Sequence, residues 1–364
     1  MNRKIAVLSA HKSYDYRIYR HIRTLLKLGY EVHYYNITSE KNPDVGISHP
    51  NFVYKPFFLE KIRSLRLPKV YLSVLTELRN DDYTYYFVQD EELLTFFLLK
   101  GRNAKNKLVI DAHEILDLDR KKKLLIEVTF KRLSRERSCV TALQQNVGFL
   151  NRYFSKIYVF DNLPLRSDFL DMGEHTTNEK IHIIYSGMVT EENRQMLKTL
   201  DVMELLIQAG QFRATLIGPI ANRFSKESIK QKIRELELKY PDDFRYTGAL
   251  PRHKVLPQLL RSDVFLMLLD LPCESVVSPN KLFEALAAGN VVVTNHSNFS
   301  ITIPTDLLVK VAKEASAEEI AKLITSFCKN REELHKKKLK IKEWFARSGL
   351  FWESYEHCYT EIFR

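Results

Sequence analysis

The chain has 364 residues, 45% hydrophobic and 28% charged, with 56 Lys and Arg against 45 Asp and Glu and a net charge of +11. That length suggests two domains with ample cores, and the composition is that of an ordinary soluble protein. No apolar run approaches the ~20 residues needed to span a bilayer, and Cys139, Cys273, Cys328 and Cys358 are scattered without metal-binding or C-x-x-C spacing.

The charge is unevenly placed. Residues 1–164 hold 28 Lys and Arg against 18 Asp and Glu, whereas the remainder holds 28 against 27. Such asymmetry points to an anionic partner for the first half, either membrane headgroups or a lipid-linked phosphate. Nucleic acid is not expected, because no recognisable nucleic-acid-binding motif accompanies the charge. The opening MNRKIAVLSAHKS runs from an apolar strand into polar residues with no A-x-A site, so it does not read as a signal peptide. The expected compartment is the cytoplasm, with the inner face of the membrane as a peripheral location.

Lys4–Ser9 reads as a buried first strand, followed by a loop, a helix over Arg17–Leu28 with Gly29 at its end, and a second strand, YEVHYYN. This β-loop-α-β order opens a doubly wound sheet. Asp15 reads either as the cap of that helix or as part of a functional loop together with Arg17. The stretch PFFLEKIRSLRLPKVYLSVL alternates basic and apolar residues, with Leu59, Ile62, Leu65 and Leu67 among Lys61, Arg63 and Arg66. It either packs on its own domain or lies on anionic lipid. TYYFVQD and KLVIDAHE are further strands ending in polar residues, where open α/β sheets keep their sites. Asp117-Leu-Asp119 spells D-x-D, which we read as helix-cap chemistry, not a metal site. The helix that follows, Arg120–Arg137, has Leu124, Leu125, Val128 and Leu133 as an interrupted apolar side and a positive face. KIYVFDNLP is the expected last strand of a first domain ending near residue 165.

After a polar linker to residue 180, IHIIYSGMV is a strand ending in glycine, and FRATLIGP is the next. A charged helix, a short strand FRYTG and a helix through PRHKVLPQLLR lead to the strand VFLMLLD. The stretch SPNKLFEALAAGNVVVT, Ser278 to Thr294, then completes a strand–helix–strand unit. Ser278 reads as its N-cap, Pro279 as the first helical position and Gly289 as C′. At about 100° per residue, Leu282, Phe283, Leu286 and Ala287 face the sheet. Lys281 and Glu284 lie on the other side, among Ala285 and Ala288, where a ligand could approach closely. Lys281 in the first turn opposes the helix dipole unless an anion is present. A phosphate held by backbone N–H groups and Lys281 answers this, with Glu284 one turn on for ribose hydroxyls. A solvated Lys–Glu pair on an ordinary crossover helix is the alternative.

The run SPNKLFEALAAGNVVV resembles the nucleotide-sugar motif of retaining GT-B glycosyltransferases of family four. HKSYDYRIYRHIRTLLKLGYEV resembles their first strand–helix unit, with Asp15 and Arg17 matching D-x-R-I. Asp111-Ala-His113-Glu114 resembles their D-x-H-E, and the spacing T-G-x-x-P before S-D-V-F-L is similar too. The resemblance implies an α/β GT-B fold, with two Rossmann-like doubly wound domains, 1–165 and 180–340, facing across a cleft. Residues 341–364 would form a helix crossing back to the first domain. It implies transfer of a glycosyl group with retention from a nucleoside diphosphate sugar, of UDP or GDP type, to a polysaccharide, glycolipid or lipid-linked acceptor. No cofactor and no metal are implied. By resemblance Gly187, Arg194, Gly248, Ser278, Asn280, Lys281, Leu282 and Glu284 hold the donor, and His113 faces its sugar from the first domain. The family's earlier glutamate falls on Val276 here, so Glu274 is the candidate to replace it. A GT-B epimerase and a non-catalytic donor-binding subunit are the competing readings.

Overall fold

The computed structural model describes residues 3–10, 15–41, 45–60, 67–79, 82–89, 93–94, 108–112, 120–133, 137–170, 179–221 and 226–364, excluding the side chains of 67, 68, 120–122, 125 and 170. The chain divides into two compact units. One comprises Met1–Asn162 together with Trp352–Arg364, the other Leu163–Phe351.

The first unit is built on seven parallel strands: β1 (Lys4–Ser9), β2 (Glu31–Thr38), β3 (Phe52–Phe58), β4 (Tyr85–Val88), β5 (Leu108–Ala112), β6 (Ser138–Thr141) and β7 (Lys156–Val159). Their order is β3-β2-β1-β4-β5-β6-β7. A parallel sheet covered on both faces needs apolar side chains in both directions, so its central strands read as continuous hydrophobic runs. In β1 the five residues after Lys4 are all buried. At the edge, no residue of β3 is fully buried, and the strand carries Pro56, which an edge strand tolerates. The basic-apolar stretch expected to be one amphipathic segment is thus divided. Its first residues belong to a strand paired with β2, its last to the helix Leu67–Arg79, and Lys61–Arg66 lie outside the described residues.

The helix Tyr16–Lys27 starts one residue earlier than expected. Asp15 caps it, accepting from the N–H groups of Arg17 and Ile18 at 2.8 and 3.2 Å. The basic helix is Arg120–Lys131, and its inward face differs from the expected one. Ile126, Phe130 and Leu133 are buried, whereas Leu124 and Val128 are exposed. Phe130 packs edge-on against Phe154 and beside Tyr153, and these rings draw the i, i+4 pair Ile126–Phe130 inward.

The aromatic C-terminal stretch is not one helix. The helix Arg331–Arg347 stops before Gly349, whose φ of +71° no other residue adopts cheaply. A 3-10 turn, Trp352–Tyr355, and the helix Glu356–Ile362 then join the first unit. There Trp352 is fully buried and donates to Thr24 at 3.1 Å, Tyr355 stacks on Phe160, and the Phe363 ring meets Phe87.

The second unit has six parallel strands: β8 (Ile181–Ser186), β9 (Phe212–Ile217), β10 (Phe244–Tyr246), β11 (Val264–Met267), β12 (Val291–Thr294) and β13 (Leu308–Lys310). Their order is β10-β9-β8-β11-β12-β13. Every residue of β8, β11 and β12 is buried. No helix among the described residues is long and apolar enough to cross a membrane.

Candidate functional site

Open α/β sheets take ligands beyond the carboxyl ends of their strands, at the point where the strand order reverses. In the second unit this point lies between β8 and β11. On one side of it three successive strands end at or next to glycine: Gly187 after β8, Gly218 after β9 and Gly248 beyond β10. A Cβ on Gly218 would lie 1.7 Å from the Gly187 carbonyl oxygen, and its φ is +142°, so no side chain fits. Gly187 donates to the Ile217 carbonyl at 3.0 Å and Gly218 to that of Gly248 at 2.8 Å. The strand ends therefore present closely packed backbone.

The loops after β8 and β11 are zipped together. Arg194 pairs with Leu269 as an antiparallel bridge, Gln195 donates to Leu268, and Asp270 donates to Asn193. Asn193 has a positive φ of 61°, which asparagine tolerates better than most residues. The Glu191 carboxylate caps the helix Met196–Gln208 by accepting from the Leu197 N–H. Arg194 is half-buried in this loop, beside Tyr185, whose hydroxyl donates to Met188 at 2.7 Å; burial pushes that phenol up to about 12, so it stays neutral. Lys198 reaches the Lys313 carbonyl instead.

The helix after β11 spans Asn280–Ala287, with Pro279 rather than Ser278 at the cap position and no side-chain cap bond. Leu282, Phe283, Leu286 and Ala287 pack inward as expected. Ala285 and Ala288 are fully buried as well, which corrects the expectation of an open approach there. The helix Arg331–Arg347 packs against this one, and beyond its end a Cβ on Gly289 would stand 3.2 Å from the Lys338 carbonyl oxygen. The small residues serve helix packing. Ser278 is buried, Asn280 and Lys281 are half-buried at the helix start, and Leu282 lies in the core.

Glu284 is not a solvated surface carboxylate. Its side chain is 1% exposed, with Arg252 donating to Oε1 at 2.6 Å and Lys281 to Oε2 at 2.9 Å. Burial alone would raise its pKa, but the two cations reverse this and bring it down to about 2. The group is ionised at neutral pH, and its favourable contribution is lost only as pH falls below the ordinary carboxylate range toward 2. Arg252 begins the helix Arg252–Arg261 and also grips Asp168, through Nη2 at 2.7 Å and Nε at 3.2 Å. Periodicity did not flag Arg252 or Asp168. The only sequence signal was a basic residue directly after Pro251 at a helix start.

The loop between β11 and this helix is pinned along its length. Leu269 and Asn295 exchange hydrogen bonds, Asn298 Nδ2 donates to the Glu274 carbonyl at 2.8 Å, and Val277 bridges to Phe299. Only the Glu274 backbone is held; its side chain is exposed, and Val276 is half-buried.

In the first unit the residues of the D-x-R-I and D-x-H-E runs meet. Arg17 donates to Asp111 through Nε at 2.8 Å and Nη2 at 3.0 Å, and to the Phe160 carbonyl through Nη1 at 2.7 Å. His21 Nε2 shares Asp111 Oδ2 at 2.8 Å, while its Nδ1 lies 2.6 Å from the Tyr359 hydroxyl. Arg20 lies between the Tyr16 and Trp352 rings, at 4.4 and 4.5 Å. His113, Glu114, Asp117 and Asp119 lie outside the described residues.

Residues 180–326, nearly the whole of the second sheet and its helices, match the family described as glycosyl transferases group 1. Among solved structures, the E. coli trehalose-6-phosphate structure bound with UDP-2-fluoro glucose is 13% identical, with a TM-score of 0.67 over 99% of this chain and 98% of that one. Sucrose-phosphate synthase from Thermosynechococcus elongatus is 14% identical, TM-score 0.68, covering 100% and 98%. Anabaena HepE in complex with UDP and glucose is 12% identical, TM-score 0.69, covering 99% of each chain. These likenesses show the fold, which is GT-B with two Rossmann-like domains. No protein of curated function matches the chain. The matched residues include Gly187, Gly218, Gly248, Arg194, Arg252 and the Lys281–Glu284 helix.

Proposed function

We propose that the chain transfers a hexosyl group, with retention of configuration, from a nucleoside diphosphate sugar held by the second unit. The observation that carries this reading is the pairing of Lys281 with a buried, ionised Glu284 on the helix beyond the reversal point of a glycosyltransferase domain. In this reading the diphosphate sits at the start of that helix, against Lys281, Arg194 and the backbone beside Gly187. The ribose hydroxyls donate to Glu284, and the loop near Gly248 covers the base. Departure of the nucleoside diphosphate places negative charge where Lys281, Arg194 and the helix N-terminus already stand, and such preorganised stabilisation is usually the large catalytic effect. His113 and Glu274 attend the sugar. UDP in two of the similar structures supports a UDP-type donor.

The first unit takes the acceptor, and its charge favours an anionic one: a lipid-linked phosphate or a glycan at an anionic membrane. Leu124, Val128 and Lys131 form an exposed stripe at i, i+4 and i+7 on the basic helix, which suits peripheral contact with lipid. Co-sedimentation with anionic vesicles at low salt tests this, and its absence removes the membrane from the proposal.

A thermal-shift panel of UDP, GDP, CMP and common nucleotide sugars tests the donor site. A ligand at a hundred times its dissociation constant adds about 2.7 kcal/mol. We expect one nucleotide class to stabilise the wild type and Glu284→Ala to abolish the response. Silence from every nucleotide with a folded protein overturns the donor reading. Donor binding without catalysis is the second reading, favoured by the apolar Val276 where the family carries a glutamate. Product analysis with candidate acceptors separates the two.

A further inference from the structure

The Glu284 carboxylate is closed off by its own neighbours, and the two cations that close it are unlike. Arg252 is 9% exposed, and its fork is fixed at both ends by Glu284 and Asp168. Lys281 is 35% exposed, and Glu284 is its one hydrogen-bond partner among the described residues. A planar guanidinium spanning two carboxylates is held in place, whereas an ammonium on a flexible stem with one partner is readily drawn away.

We propose that Lys281 is a latch over Glu284 that the donor's diphosphate opens. This rests on the donor-site reading above and adds a coupling within that site. A ribose cannot reach a carboxylate that is 1% exposed while Lys281 covers Oε2. When Lys281 turns to the diphosphate, Oε2 becomes free to accept from a ribose hydroxyl, and no unpaired charge is left behind. Arg252, braced by Asp168, stays on Oε1 and keeps the carboxylate ionised and in position throughout. Lys281 is then exchanged between two anions, and Arg252 is the positioning residue. The coupling selects for a complete nucleoside diphosphate, since the phosphate half of the ligand opens the site for the ribose half.

The test compares UDP, uridine and inorganic pyrophosphate, with GDP and guanosine as the second series, by calorimetry and ligand-detected NMR. Wild type, Lys281→Met and Arg252→Lys are used, with thermal melts confirming that each is folded. Lys281→Met is expected to weaken pyrophosphate and the nucleoside diphosphate about tenfold and to tighten the bare nucleoside about fivefold, because the latch is gone. A lysine that only contacts phosphate leaves nucleoside affinity unchanged, and that result overturns the latch while sparing the donor site. Arg252→Lys is expected to weaken nucleoside and nucleoside diphosphate about tenfold while leaving pyrophosphate unchanged. Equal losses for all three ligands overturn the positioning role. If wild type binds neither UDP nor GDP, the donor reading falls and the latch falls with it.

Discussion

The two sheets share one strand order through their first six strands, yet the described residues on and after those strands differ in kind. In the first unit, within β5, the protein pairs its own charges: Arg17 and His21 converge on Asp111, and Tyr359 and Trp352 lie beside them. In the second unit Gly187 and Gly218 directly follow β8 and β9, and Gly248 lies just beyond β10, so bare backbone stands where a side chain would. Topology alone therefore does not make a ligand site. The residues carried on and after the strands matter as well.

The comparison is broken most severely at Asp111. Its loss leaves Arg17 buried without its carboxylate, at a cost of about 3–5 kcal/mol, so Asp111→Ala is expected to lower the urea midpoint sharply. If the first unit were only a neutral scaffold at this point, the change would be small. The double variant Arg17→Met, Asp111→Leu should recover part of the loss, because the buried guanidinium goes with its carboxylate, although His21 Nε2 and the Phe160 carbonyl lose those partners.

On the other side, Gly218→Ala drives a methyl into the Gly187 carbonyl and strains the backbone, costing roughly 2–4 kcal/mol. Nucleotide stabilisation in thermal melts should vanish together with that stability. A variant that lost stability but kept its nucleotide response would show that the glycine floor serves packing alone.

The third effect is a pH slope, absent near neutrality. His182 on β8 is buried, with Nε2 against Thr215 at 2.8 Å. Burial, aided by Arg213, lowers its pKa from 6.5 to about 4. The folded state therefore takes up its proton later than the unfolded chain does. Stability is fully present above pH 6.5 and falls by roughly 3 kcal/mol as pH drops to 4. His182→Gln should flatten chemical denaturation midpoints across that window, and an unchanged slope would assign it to other groups.

Much of this was legible in the sequence, for a physical reason. Strands buried on both faces must be apolar throughout, so Ile181–Ser186 and Val291–Thr294 stand out as runs. The edge strand Phe52–Phe58 did not, because partial exposure and Pro56 remove that signature. On the basic helix two apolar arcs competed, and the neighbouring rings Tyr153 and Phe154 chose Ile126 and Phe130 over Leu124 and Val128. The Lys281–Glu284 pairing could be read as a local spacing. Its extension to Arg252 and Asp168 joins positions 32 and 116 residues from Glu284, and no local pattern encodes such a contact. The Asp111–Arg17 pair was hidden in the same way, although each residue had been noticed in its own motif.

Residues 352–364 complete the first unit only after about 190 intervening residues have been made. At synthesis rates of about 5–20 residues per second, the leading segment waits roughly 10–40 s for Trp352 and Tyr359 to arrive. Until then Arg20, His21 and the Phe87 ring lack their cover, and a nascent chain carries that exposed patch throughout synthesis of the second unit. The unit translated first is thus the one finished last.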